Sequence, residues 1–107
     1  MDVFLISKKR EINAMGSYDL STKQLIVRKG SVVSKTISES KTFRGARSVK
    51  KQRERYVVDT VVVEDVQFSS SSTAANFVTG SSTDGTRAWK NIDGKSIASI
   101  VKEMEEC

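Results

Sequence analysis

Histidine and proline are absent from this chain, and cysteine occurs once, as Cys107. Without an imidazole, histidine general-base catalysis and histidine-ligated zinc are excluded together. A single thiol makes neither an internal disulfide nor a cysteine metal cluster. The lack of proline argues against a linker or a polyproline ligand. Long apolar runs are missing too. The start, Val3-Phe4-Leu5-Ile6, is far too short to span a bilayer, and basic residues follow it instead of preceding it as in a signal peptide. A cytoplasmic protein with no membrane contact is expected.

What is present suits one compact α+β domain over residues 1–107. The 107 residues, 37% hydrophobic and 29% charged, describe an ordinary globular chain, and a domain of this size buries roughly two-thirds of its unfolded surface. The net charge of +5 and the pI near 9.5 favour anionic partners, nucleic acid first.

Residues 2–7 read as a short strand, and residues 11–22, with Gly16, Asp19, Ser21 and Thr22, as a loop or ragged strand pair. Two β-branched runs, Leu25-Ile26-Val27 and Val32-Val33 with Ile37, flank Lys29-Gly30-Ser31, which predicts a hairpin turning at Gly30. A helix is predicted over 46–55, then a valine-rich strand over 57–64 that continues or bulges into 66–68. Ser70 or Ser71 caps a small-residue helix that Gly80 ends in the left-handed conformation. A polar loop from Gly80 to Thr86 follows, then Trp89 and a turn at Asp93-Gly94. Ser96 opens a last helix with Ile97, Ile100, Val101 and Met104 along one side. Its glutamates oppose the helix dipole, so 102–107 is expected to fray. The expected architecture is a mainly antiparallel sheet of four to five strands with about three helices packed on it.

In order along the chain stand Ala14-Met15-Gly16, an apolar strand ending in Lys29-Gly30-Ser31, Arg53 in its helix, Phe68-Ser69-Ser70-Ser71-Ser72-Thr73-Ala74-Ala75, Gly80, Asp84-Gly85, Trp89-Lys90 and Asp93-Gly94-Lys95. This pattern, over about residues 3–101, resembles the bacterial domain-of-unknown-function family 4357. That family is similar in turn to the restriction-enzyme adenine-methylase-associated domain. The resemblance implies an accessory role in DNA processing beside a nuclease or methylase, and a structural ion pair for Arg53. Three positions depart from the pattern: Ser71 replaces a proline, Asp84 replaces an asparagine, and Thr86 stands where a first tryptophan is usual.

Seven basic residues face one acid between Lys41 and Arg55. On a helix Arg47, Lys50 and Lys51 share a face suited to phosphates, with Arg44 just before it, or they form a solvated face only. The glycine spacing of the 80–87 segment copies a phosphate loop superficially. Lysine is missing after the second glycine, no helix is expected there, and no cofactor is implied. The loop residues Ser82, Thr83, Asp84, Gly85 and Thr86 still offer N–H groups and hydroxyls, and Arg87 and Lys90 offer charge to a phosphate or partner. Trp89 either stacks on an unpaired base or lies in the core. Asp19 with Glu39-Ser40-Lys41 loosely matches a magnesium nuclease arrangement.

The leading expectation is therefore a non-enzymatic, cofactor-free module that binds nucleic acid, DNA first, through the basic segment 41–55 and the 80–90 loop. An interaction scaffold recruiting a DNA-processing enzyme comes second, and a metal-dependent nuclease a distant third.

Overall fold

The computed structural model describes residues 1–38 and 46–105. Among them the chain forms strands β1 (Asp2–Ser7), β2 (Ile12–Tyr18) and β3 (Leu25–Val27), then helix α1 (Ala46–Tyr56). The short strands β4 (Val57–Val58), β5 (Val61–Val62) and β6 (Val66–Phe68) follow. Helices α2 (Ser71–Thr79), α3 (Gly85–Ala88) and α4 (Ile97–Glu105) complete the chain. The four-stranded antiparallel sheet has the order β1-β2-β3-β6, and β4 and β5 form a separate ribbon. The fold is α+β.

Of segment 11–22, read as a loop or ragged strand pair, residues 19–22 form the turn and residues 12–18 are strand instead. β2 is a continuous strand in register with β1, Val3 opposite Gly16 and Leu5 opposite Ala14. Gly16 looks like a turn signal in sequence, but its role is close packing. A Cβ there would come within 2.9 Å of the Ile26 carbonyl oxygen and the Leu25 Cδ2, and 3.6 Å from the Trp89 ring.

The predicted hairpin at Lys29-Gly30-Ser31 is a bulge instead. Gly16 pairs with Val27, Arg28 donates its N–H to the Met15 carbonyl at 2.8 Å, and Val32 bridges Asn13. The chain therefore keeps running along the same side of β2. Gly30, at φ +92°, absorbs the extra residues, and the Ser31 hydroxyl fills the gap, accepting from Met15 N–H at 3.0 Å and donating to Met15 O at 3.1 Å. The single strand expected over 57–64 is likewise broken. Asp59 and Thr60 take φ of +50° and +67°, a tight turn that folds β5 back on β4.

The core lies between the inner sheet face and α2. Alternation turns Val3, Leu5, Ala14, Leu25, Val27 and Phe68 inward, where they meet Ala74, Ala75, Phe77 and Val78. The alanines let α2 approach the sheet, and the Phe77 ring packs 5.2 Å from that of Phe68. Ser70 caps α2 by accepting from Thr73 N–H at 3.2 Å, and Gly80 ends it at φ +70°. The proline missing at position 71 is thus offset by a side-chain cap. In α4 only Ile97 of the predicted stripe is buried, and the helix continues to Glu105, past the expected onset of fraying.

Glycine 85 joins α3 to the start of α2. A Cβ on it would overlap the backbone of Ser71 and Ser72, whereas one on Gly30 meets nothing. Gly85→Ala should cost about 3 kcal/mol by overpacking and Gly30→Ala about 1 kcal/mol from its left-handed backbone. Urea denaturation of the two variants checks that order, and equal losses would contradict it.

Candidate nucleic-acid interface

Helix α1 exposes most of its charge and buries Val49 and Arg53. The Arg53 guanidinium, 9% exposed, meets no carboxylate among the described residues. It donates through Nε to Phe77 O at 2.9 Å, through Nη1 to Ser34 O at 2.7 Å, and through Nη2 to Val78 O at 3.0 Å and Ser34 Oγ at 2.9 Å. The ion pair implied by the resemblance is thus replaced by bonds to backbone oxygens and a hydroxyl. Those of Phe77 and Val78 belong to the last turn of α2, which lacks intrahelical donors and carries partial negative charge. Burial, and secondarily the charge of Arg10, lowers the Arg53 pKa to about 10, so it stays protonated at neutral pH.

Arg10, in the β1–β2 turn, completes this C-terminal cap. Its Nη2 donates to Thr79 O at 2.9 Å and to Ser81 Oγ at 3.3 Å. Ser34 Oγ lies 2.8 Å from Thr79 O and 2.9 Å from Thr36 O, sharing its one proton between them. Three side chains thereby hold α1, the 34–36 segment and the β1–β2 turn around one helix end.

A groove results. Between α1 and the 34–36 segment lies a depression of about 560 Å³ lined by Lys35, Lys50, Arg53 and Glu54. A second, of about 320 Å³, is lined by Lys9, Arg10, Glu11 and Lys35. The two share Ser34, Lys35 and Thr36 and so form one surface. Glu11 is bound to Lys35 at 2.8 Å, which holds its carboxyl below the usual range and raises the Lys35 pKa. The helical repeat places Arg47 and Lys51, both exposed, further round α1 on its solvent side. Arg44 lies outside the described residues, as do Glu39, Ser40, Lys41 and Cys107.

The 80–90 loop starts at this end of α2, where Ser81 and Thr83 stay, and runs back so that Gly85 to Lys90 stand at the other end. Gly85 N–H donates to Ser72 Oγ at 3.1 Å, and Trp89, 0% exposed, donates its indole N–H to Ser71 O at 3.1 Å. Trp89 is therefore core, and its ring is unavailable for stacking on a base. About 10 Å of helix, at 1.5 Å per residue, separates these anchors from the carbonyls held by Arg53. The two parts of the sequence-derived site do not share a depression. Thr83 is tied to Asn76, its N–H 2.9 Å from Oδ1, and to the Thr79 hydroxyl at 2.8 Å. Ser82, Arg87 and Lys90 are exposed, and Arg87 approaches Asp84 at 3.6 Å.

Asp84 and Thr86 explain each other. Asp84 Oδ1 accepts from Thr86 N–H at 3.1 Å and from the Thr86 hydroxyl at 2.7 Å, capping the single turn of α3. This turn takes up only the last two residues of the loop expected from Gly80 to Thr86. Asp19 serves similarly in its own turn, accepting from Ser21 N–H and Oγ at 2.9 and 2.7 Å.

Sequence reasoning missed Lys9, Arg10, Lys35 and Ser34. The run Lys8-Lys9-Arg10 directly after β1 was a readable signal for the first two. Lys35 and Ser34 gave none before the fold was in hand.

A family model described as a domain of unknown function (DUF4357) matches residues 4–101. No curated protein matches the chain, and no solved structure matches it.

Two outcomes are expected of these contacts. Arg53→Lys keeps the charge but not the planar fork, leaving buried carbonyls unpaired, and should lose about 2–3 kcal/mol in urea denaturation. A loss under about 0.5 kcal/mol, the level of an ordinary surface change, would contradict this role. The Asp84 pKa is lowered, first by the Thr86 hydroxyl. Its cap is thus fully present above the unfolded aspartate pKa and lost as pH falls through the lower folded one. An NMR titration of the Thr86 amide should show an inflection below the ordinary aspartate range that moves up in Thr86→Val; an unmoved inflection refutes the pairing.

Proposed function

The chain belongs to the domain-of-unknown-function family DUF4357, and from its surface we propose that it is a non-enzymatic accessory module binding nucleic acid, DNA first, through the phosphate backbone. The observation that carries this reading is the groove. Lys9, Lys35 and Lys50 come from three separate segments to one continuous surface, with Arg10 beside them. Flexible ammonium groups with no rigid base-reading element suit phosphate contact and not sequence readout. Glu11 and Lys35 match each other, so Lys9 and Lys50, with Arg47 and Lys51 beside them, are the cations left for phosphate, and Glu54 is the groove's other acid.

Arg47 and Lys51 widen the cationic surface around α1, while Arg87 and Lys90 form a separate, smaller patch at the far end of α2. The serine-led helix, which resembles that of the restriction-enzyme adenine-methylase-associated domain although Thr86 stands in place of tryptophan after Gly85, supports placing the module in a restriction, modification or other DNA-processing system. There it would work beside a nuclease or methylase.

Fluorescence anisotropy with a labelled duplex at several salt concentrations tests the reading. Log affinity should fall against log salt with a slope of about −3, as for three to four neutralised phosphates. Lys9→Glu and Lys50→Glu should each flatten that slope by about one, and Arg87→Glu should do so less. Absence of binding at low salt, or a slope near zero, ends the proposal.

A further inference from the structure

The sheet face turned away from α2 is apolar at one end. Alternation in β1 sends Phe4 and Ile6 outward, and Phe4 stands opposite Met15 in register. Ile6 is 62% exposed, Met15 41% and Ile92 83%. Two depressions flank Phe4, one of about 380 Å³ with Ile6, Ala88 and Ile92, the other of about 230 Å³ with Met15 and Val32. Ile92 is not on a loose loop. Asn91 Oδ1 accepts from Asp93 N–H at 3.0 Å and from Lys95 N–H at 2.9 Å, closing the turn that presents it.

The edge of β1 is partly open. Phe4 and Lys90 exchange backbone bonds of 2.7 and 2.9 Å there. Ile6, two residues on, faces its N–H and C=O the same way, since its partner Asn13 bonds to Val32 on the other side. No backbone partner meets Ile6 on that edge among the described residues.

Cations ring the patch. Lys29 lines the depression holding Met15, Lys90 lines the one holding Ile92, and Arg28, also exposed, bonds across to Met15 through its N–H. None of the three makes an ion pair among the described residues. Three carboxylates are close: Asp2 lies at the far end opposite Ser17, Asp65 accepts the Lys29 backbone N–H at 2.8 Å, and Asp93 follows Ile92 in its turn.

We infer that this face docks an extended segment of a partner protein, with aliphatic side chains filling the two depressions and acidic residues meeting Arg28, Lys29 and Lys90. Charge decides against a second copy, which would set cation against cation in a chain of net charge +5. Aromatic content decides against a single nucleic-acid strand. Bases need exposed ring faces to stack on, and Phe4, half-buried, is the aromatic ring lining these depressions. Pairing along the Ile6 edge gives backbone affinity, and the depressions give side-chain selectivity.

Selection of a phage-displayed library of random peptides on the whole chain tests this independently of the groove. Enriched peptides should carry aliphatic residues flanked by acids, and synthetic versions should shift the amides of Ile6, Met15 and Ile92 in NMR spectra. Ile6→Glu and Ile92→Glu, at exposed positions that leave the fold intact by circular dichroism, should each weaken the synthetic peptide by about tenfold or more. Lys90→Glu should weaken acid-flanked peptides and spare neutral ones. Enrichment of basic peptides, or binding indifferent to both isoleucine variants, overturns the inference. So does a dimer in sedimentation lost in Ile6→Glu, or an oligothymidine that shifts the same amides.

Discussion

Arg53 against the last turn of α2 is the interaction on which the arrangement depends. A buried guanidinium ordinarily finds a carboxylate, yet four of its donor contacts here go to backbone oxygens and one hydroxyl. The solution is physically sound, because the carbonyls of a helix C-terminus lack intrahelical donors and carry partial negative charge. Burial costs the charge some solvation, which appears as the pKa lowered to about 10. Capping one helix end with another helix's side chain fixes both helices and traps the 34–36 segment between them. Gly80 makes the trap close, since any Cβ there would run into Thr36 and Ser34.

α2 organises the rest from its two ends. Its N-terminus holds Gly85, Trp89 and the capping Ser70, and its C-terminus holds Arg53, Arg10 and Ser34. The two cationic patches are separated by the same fact, each belonging to whichever segment its helix end recruits. A helix built of Ser, Thr, Ala, Asn, Phe and Val can do this because its side chains carry no competing charge.

Much of the fold was legible because its signals are local. The serine cap at 70 or 71, the Gly80 stop, the helical stretch at 46–55 and the short apolar strands at 2–7, 25–27 and 66–68 follow from turn chemistry and periodicity in a few neighbouring residues. Errors arose where a glycine or β-branched residue answers to a distant contact. Gly16 is small for Leu25 and the Ile26 carbonyl on the neighbouring strand, Gly30 bulges because Val32 returns to Asn13, and the valine run breaks at Asp59 and Thr60 with no glycine to mark it. The site was half legible for the same reason. A helix face of lysines is a local pattern, whereas the meeting of Lys9 and Lys35 with Lys50 is made by Arg53, whose sequence context suggests only one more basic residue.

The strand alternation at 32–33 gives the two proposed surfaces their relation. Val32 lines the apolar depression on the outer sheet face, and Val33, its neighbour, lines the basic groove. One peptide unit thus separates the surface proposed for nucleic acid from the surface proposed for protein docking. Three or four phosphate contacts without base readout bind in about the 10⁻⁴ to 10⁻⁶ M range at physiological salt, too weakly to select a locus. A partner held on the apolar surface would change that arithmetic, because joining two weak contacts makes the second intramolecular, at an effective concentration near millimolar. A module that only binds would become useful under that condition, which requires both surfaces to be free at once, as their separate sets of lining residues allow.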